Sequence, residues 1–185
     1  MSAGTVSARV ALRLALLLAV LALGATAAAH ARPQAAGSLA RIDHVADGDT
    51  VDLTNGERVR LVQIDTPEVY FAPECYGHEA STLTKSLLPP GTLVRLVVEP
   101  ATDLVDGYGR LLRYVIRVRD GLNVNVRLVA AGAAAPYFYD HRLGRFASLL
   151  LSLAHRARAR RLGLWGRCPS TPFDPYRGVA TGPER

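Results

Sequence analysis

The chain has 185 residues, 49% of them apolar and 21% charged, which suffices for one core of modest size and excludes a wholly disordered polymer. The formal net charge is +6, the pI is about 9.8, and Lys85 is the one lysine among 22 basic residues. Arginine forks match phosphate oxygens in pairs, so this balance points weakly toward a polyanionic partner.

The first residues read as an address rather than as fold. Arg9 and Arg13 precede the apolar run Leu14 to Leu23, and Ala29-His30-Ala31 offers small residues where a signal peptidase cuts. Residues 1–31 are therefore expected to be a signal peptide, with Ala25-Thr26-Ala27 as a second possible cut. The apolar run falls short of the roughly 18 residues of a spanning helix, and an uncleaved membrane anchor is the alternative. Export to the extracellular space or periplasm follows, with no stable membrane association once the signal is removed. Cys75 and Cys168, the two cysteines, then read as one disulfide; two free thiols or a metal pair are the rivals, and their separation carries no metal-site spacing.

Residues 32–38 read as a linker. Thr50 to Leu53 alternates, Asn55-Gly56 supplies a turn, and Arg58 to Ile64 resumes as a strand, so 50–64 reads as a hairpin. A loop spans 65–76. Ala80, Leu83, Thr84, Leu87 and Leu88 recur at helical spacing until Pro89-Pro90-Gly91 stops them. Residues 92–98 form a strand and 100–109 a loop. Leu112, Tyr114, Ile116 and Val118 then point one way, with Arg113, Arg117 and Arg119 the other. Asn123 caps a short helix that stops at Gly132. A long helix is expected over about Arg142 to Leu162, buried along Leu143, Phe146, Leu150, Leu153 and Ala157. Its arginine-rich end reads as a solvated face, and residues 169–185 as a mobile tail. Strand signals with few helices fit a small closed barrel.

Two acidic clusters sit at strand boundaries: Asp47-Gly48-Asp49-Thr50 and Asp65-Thr66-Pro67-Glu68. Carboxylates and carbonyls, with no imidazole or thiolate beside them, favour calcium or magnesium over zinc, and neither cluster has the EF-hand pattern. Each cluster alone is also an ordinary turn or loop start. Arg60 lies five residues before Asp65, Arg110 follows Asp106-Gly107-Tyr108-Gly109, and acids with arginines are what phosphoryl chemistry needs. Strict alternation puts Arg60 and Asp65 on opposite faces, so both reach one phosphate only if the strand ends or bulges near Ile64.

These residues are recognisable together. Asp47-Gly48-Asp49-Thr50-Val51, Arg60 to Glu68, Tyr76 to Ser81, Tyr108-Gly109-Arg110 and Gly163-Leu164-Trp165 resemble the staphylococcal nuclease (thermonuclease) family over about residues 39–168. The resemblance implies an α+β fold, a five-stranded OB-fold barrel with about three helices. It implies a calcium ion held by Asp49, Asp65 and the carbonyl of Thr66. It gives Glu68 the role of general base, and Arg60 and Arg110 that of stabilising the transition state. Tyr108, Tyr137 and Tyr139 match positions that contact the terminal phosphate or stack near a base, with simple packing as the alternative for the last two. The expected activity is calcium-dependent hydrolysis of DNA and RNA to 3′-phosphate ends by a monomer; a non-catalytic nucleic-acid-binding module is the rival. Gly107 stands where some members carry lysine.

Overall fold

The computed structural model describes residues 37–168 and 171–183; the expected signal peptide and most of the linker lie outside the described residues. Five strands close a barrel in the order β1-β2-β3-β6-β5: β1 (Ser38–Val45), β2 (Thr50–Leu53), β3 (Arg58–Leu61), β5 (Leu93–Val98) and β6 (Leu111–Arg117). All pairings are antiparallel except β3 with β6. β4 (Ile64–Asp65) and β7 (Ala135–Pro136) form a separate ribbon. Three helices of two turns or more, α1 (Gly77–Leu87), α2 (Val124–Ala131) and α3 (Ala147–Ala159), pack around the barrel, followed by the short α4 (Leu164–Arg167). This is the expected OB-fold.

The local causes are those of the sequence. Gly56, at φ 85°, closes the β2–β3 hairpin, where a side chain would be strained. Asn123 accepts the amide of Val126 and Gly132, at φ 70°, ends α2. Ile42, Val51, Val59, Leu61, Val94 and Val115 from the strands meet Leu128 and Leu150 from the helices in one core. Asn125 is fully buried there. It accepts the amide of Val115 and donates to the carbonyl of Val62 at 2.9 Å, joining α2 to the middle of β6 and to the residue that follows β3.

Several expectations are corrected. The strand from Arg58 stops at Leu61, because Gln63 turns into the left-handed region at φ 64°. The long helix begins at Ala147, and Leu143 is exposed; the buried stripe is Ala147, Leu150, Ala154 and Ala157. On β6, Leu112, Tyr114 and Ile116 share one face as expected and build a second cluster, but the opposite face is also buried, through Val115 in the main core. Arg117 is buried rather than solvated, paired with Asp120 and donating to the carbonyl of Leu87. The expected mobile tail lies on the domain over residues 171–183. Phe173 packs against the core, Thr181 is buried, and the disulfide Cys75–Cys168 ties the start of the segment to the loop before α1.

Candidate active site

Asp49 closes the turn between β1 and β2. Gly48 makes that turn possible: a Cβ there would lie 2.4 Å from Thr66 Oγ1, so the two acidic clusters touch through a glycine. Thr84 on α1 donates to the Gly48 carbonyl at 2.6 Å, and the Leu61 amide donates to the Asp49 carbonyl at 2.8 Å. Helix and barrel thus both hold the turn. Asp49 Oδ2 accepts the Thr66 amide at 2.8 Å and the Thr66 hydroxyl at 3.0 Å, and forms an ion pair with Arg60 Nη1 at 2.6 Å.

The break at Gln63 decides the site. Its buried side chain accepts from Tyr114 and from the Gly144 amide and donates to the Arg142 carbonyl, so the turn is fixed from three sides. The reversal returns Asp65 to the face of Arg60. Arg60 Nη2 pairs with Asp65 Oδ1, and Nη1 donates to the Ile64 carbonyl at 3.1 Å. Arg60 is therefore shared between Asp49 and Asp65. Burial opposes the guanidinium charge, and Asp49 and Asp65 more than offset it. Burial pushes the Asp49 carboxyl up to about 7 against the pull of Arg60, with Asp47 and Asp65 adding to the rise.

The parallel β3–β6 pairing places Arg60 beside Leu112, and Arg110 lies on the Leu112 side of β6 by alternation. Asp106 holds Arg110 in place. Burial works against the Asp106 charge, yet hydrogen bonds from Arg110 and the Tyr108 amide keep its carboxyl below the usual range. The Arg110 guanidinium lies 5.3 Å from the centre of the Tyr108 ring. The β4–β7 ribbon, with Asp65 opposite Ala135, delivers Tyr137, whose ring meets Tyr139 edge to face at 6.3 Å. Burial and the nearby Asp65 raise the Tyr137 hydroxyl.

One cleft of about 640 Å³ is lined by Arg60, Arg110, Tyr108, Tyr137, Tyr139 and Asp106 among others. Asp49, Asp65 and Thr66 stand behind Arg60, outside its lining. Glu68 is exposed beyond them, its backbone held by Glu74 on both sides: the Glu68 amide donates to Glu74 Oε2 and its carbonyl accepts the Glu74 amide. Partial desolvation where its carboxyl nears the corner, then Asp47 and Asp65, hold it above the usual range.

The family model for "Staphylococcal nuclease homologue" matches residues 58–167. The chain belongs to this family. It is similar to an endonuclease, YhcR, of Bacillus subtilis (strain 168), at 37% identity over 109 residues, 52% of this chain and 9% of that much longer protein. It is 33% identical over 135 residues to an uncharacterized endonuclease of Escherichia coli O157:H7, covering 71% of this chain and 80% of the relative. The thermonuclease of Staphylococcus intermedius is 33% identical over 132 residues, 68% of this chain and 75% of the relative. At the level of the family, the chain is a nuclease-type hydrolase.

The family's implied cation has a suitable donor set here. Asp49 and Asp65 supply hard oxygens, and one guanidinium against these two, with Asp47 and Glu68 nearby, leaves the corner negative. Among the described residues no three His, Cys, Asp or Glu side chains converge as a metal cage, and the expected set has two carboxylates and one carbonyl. Sequence reasoning gave no role to Asp106, Gln63 or Glu74. The Asp-Gly-Tyr-Gly turn was the visible signal for Asp106; the others depend on contacts distant in sequence.

Proposed function

We propose that this chain is an exported, calcium-dependent nuclease that hydrolyses phosphodiester bonds in DNA and RNA. The observation that carries the reading is the convergence of Arg60, Arg110, Tyr108, Tyr137 and Tyr139 on one cleft backed by Asp49 and Asp65. A purely binding module has no use for that set.

The scissile phosphate enters between the two arginines. Asp106 takes the Nε hydrogen of Arg110 and leaves the Nη hydrogens for phosphate oxygens. Charge that grows on those oxygens is met by guanidinium groups already fixed in place, which is where electrostatic catalysis gains most. Glu68, with its carboxyl held above the ordinary range, takes a proton from the attacking water. In-line attack on phosphorus breaks the P–O bond to the 5′ oxygen, which takes a proton from solvent water, and the phosphate stays on the 3′ side. Exposed Tyr108 and Tyr139 offer ring faces that accept any base. Asp49, Asp65 and the Thr66 carbonyl would hold calcium, which polarises the phosphate and anchors its oxygens when bound.

Export is supported by the signal-like residues 1–31 and by the disulfide, which belongs to an oxidising compartment. Among the described residues no helix is long and apolar enough to cross a membrane. The reading has residues 39–168 as the nuclease domain of a monomer free of the membrane once processed. Cleavage of single-stranded DNA by the wild type and its loss in Arg110→Ala tests it; equal cleavage by both removes Arg110 from the site, and binding without cleavage by the wild type favours the binding module.

A further inference from the structure

Residues 171–183 cross the acidic corner. The Val179 amide donates to Asp65 Oδ2 at 2.7 Å, across a separation of 114 residues. Gly178 lies so close that a Cβ there would stand 2.7 Å from the same oxygen. On one side of this contact, Pro175 accepts the amide of Phe138, between the two cleft tyrosines, and the Tyr176 ring lies 4.3 Å from that of His141. On the other side, buried Thr181 donates to the Cys75 carbonyl at 2.7 Å, and the Gly182 carbonyl accepts the Cys75 amide at 2.8 Å. Cys75 is also the disulfide partner of Cys168, so the chain from 168 to 182 leaves from Cys75 and returns to it. Its far end pairs with Glu74, which holds the backbone of Glu68.

We propose that residues 174–183 form a positioning strap that fixes the carboxylate of Asp65 and the Asp65–Glu68 segment for cation binding. The proposal rests on the metal-dependent reading above. Val179 and Gly178 are positioning residues that act through Asp65. An amide hydrogen bond leaves a carboxylate oxygen with lone-pair capacity for an ion, and it orients the ligand without cancelling its charge. Arg60 takes the other oxygen, so the two contacts fix the plane of the Asp65 carboxylate from opposite ends. Hydrogen-bonded supports of this kind set ligand direction, and their loss costs about 10- to 100-fold in metal affinity.

Calcium alone, titrated calorimetrically into the full chain, reads the strap without turnover. In Gly178→Ala the new methyl forces either the strap or the Asp65 carboxylate to move; Thr181→Val removes one anchor while keeping side-chain volume. Calcium affinity is expected to fall about 10- to 100-fold in Gly178→Ala and in the same direction, by less, in Thr181→Val, with folding checked by thermal melting. Thr181→Val keeps the test open if Gly178→Ala fails to fold. Folded variants that bind calcium as the wild type does, or more tightly, overturn the strap alone. A wild type that takes up no calcium overturns the metal reading and the strap's role together.

Discussion

Asp106 holds Arg110 at two points: Oδ1 accepts the backbone amide at 3.0 Å, and Oδ2 accepts the guanidinium Nε at 2.7 Å. Arg110 thus reaches the cleft as a fixed group rather than as a flexible one. Asp106→Asn should lower kcat/KM on the order of 10²-fold, because small misplacements of a charge-stabilising group cost that much. Steady-state kinetics would show it, and an unchanged kcat/KM would mean that Arg110 needs no guide. The carboxyl of Asp106 is lowered in the folded state, so its contribution is present above the ordinary aspartate value and is lost as pH falls through the lowered one.

The two arginines should fail differently. Arg60 is largely enclosed between two carboxylates, its side chain 14% exposed, and Arg60→Ala leaves both without this cation. Loss of one partner of a buried charge pair costs roughly 3–5 kcal/mol, so this variant should lose stability as well as turnover. Arg110→Ala should lose about 10²- to 10³-fold in kcat with its melting temperature nearly unchanged. Melting curves beside single-turnover rates separate the two; equal melting losses would contradict the geometry.

Glu68→Ala should abolish most turnover in a folded protein. The pH profile adds a finer test. Glu68 is raised first by burial and next by Asp47, and it works as a base only when deprotonated. Activity should therefore rise with pH through its raised value. Asp47→Asn keeps the oxygen that accepts the Asp49 amide and removes the charge, so the acid limb of kcat/KM should move to lower pH. A limb that stays in place would take Glu68 out of the rate-determining protonation.

The disulfide closes a separation of 93 residues. A Cys75→Ser/Cys168→Ser variant should lose up to about 4 kcal/mol of unfolding free energy in the chain-entropy model. Chemical denaturation measures this, and an unchanged midpoint would show that the segment's packing holds without the bond.

Much of the barrel was legible because its signals are local. Asn55-Gly56, the Asn123 cap and the Gly132 stop each act within a few residues. The acids and arginines were picked out by resemblance, and Arg60 and Arg110 line one cleft. What stayed hidden depends on distant partners. Gln63 reverses the chain because Tyr114, Arg142 and Gly144 bind its side chain, and strand alternation alone predicts the opposite face for Asp65. Arg117 reads as solvent-facing until Asp120 and the Leu87 carbonyl enclose it. The segment after Cys168 has no apolar period, since backbone groups and single side chains such as Phe173 attach it.

The most direct test of a calcium-dependent hydrolytic site is to incubate the full chain with single-stranded DNA, in calcium or in excess chelator, and to analyse the ends of the products. Cleavage in calcium alone, leaving 3′-phosphate ends, is the predicted result. Tight binding without cleavage in calcium at mildly alkaline pH, or cleavage that persists in chelator, would contradict it.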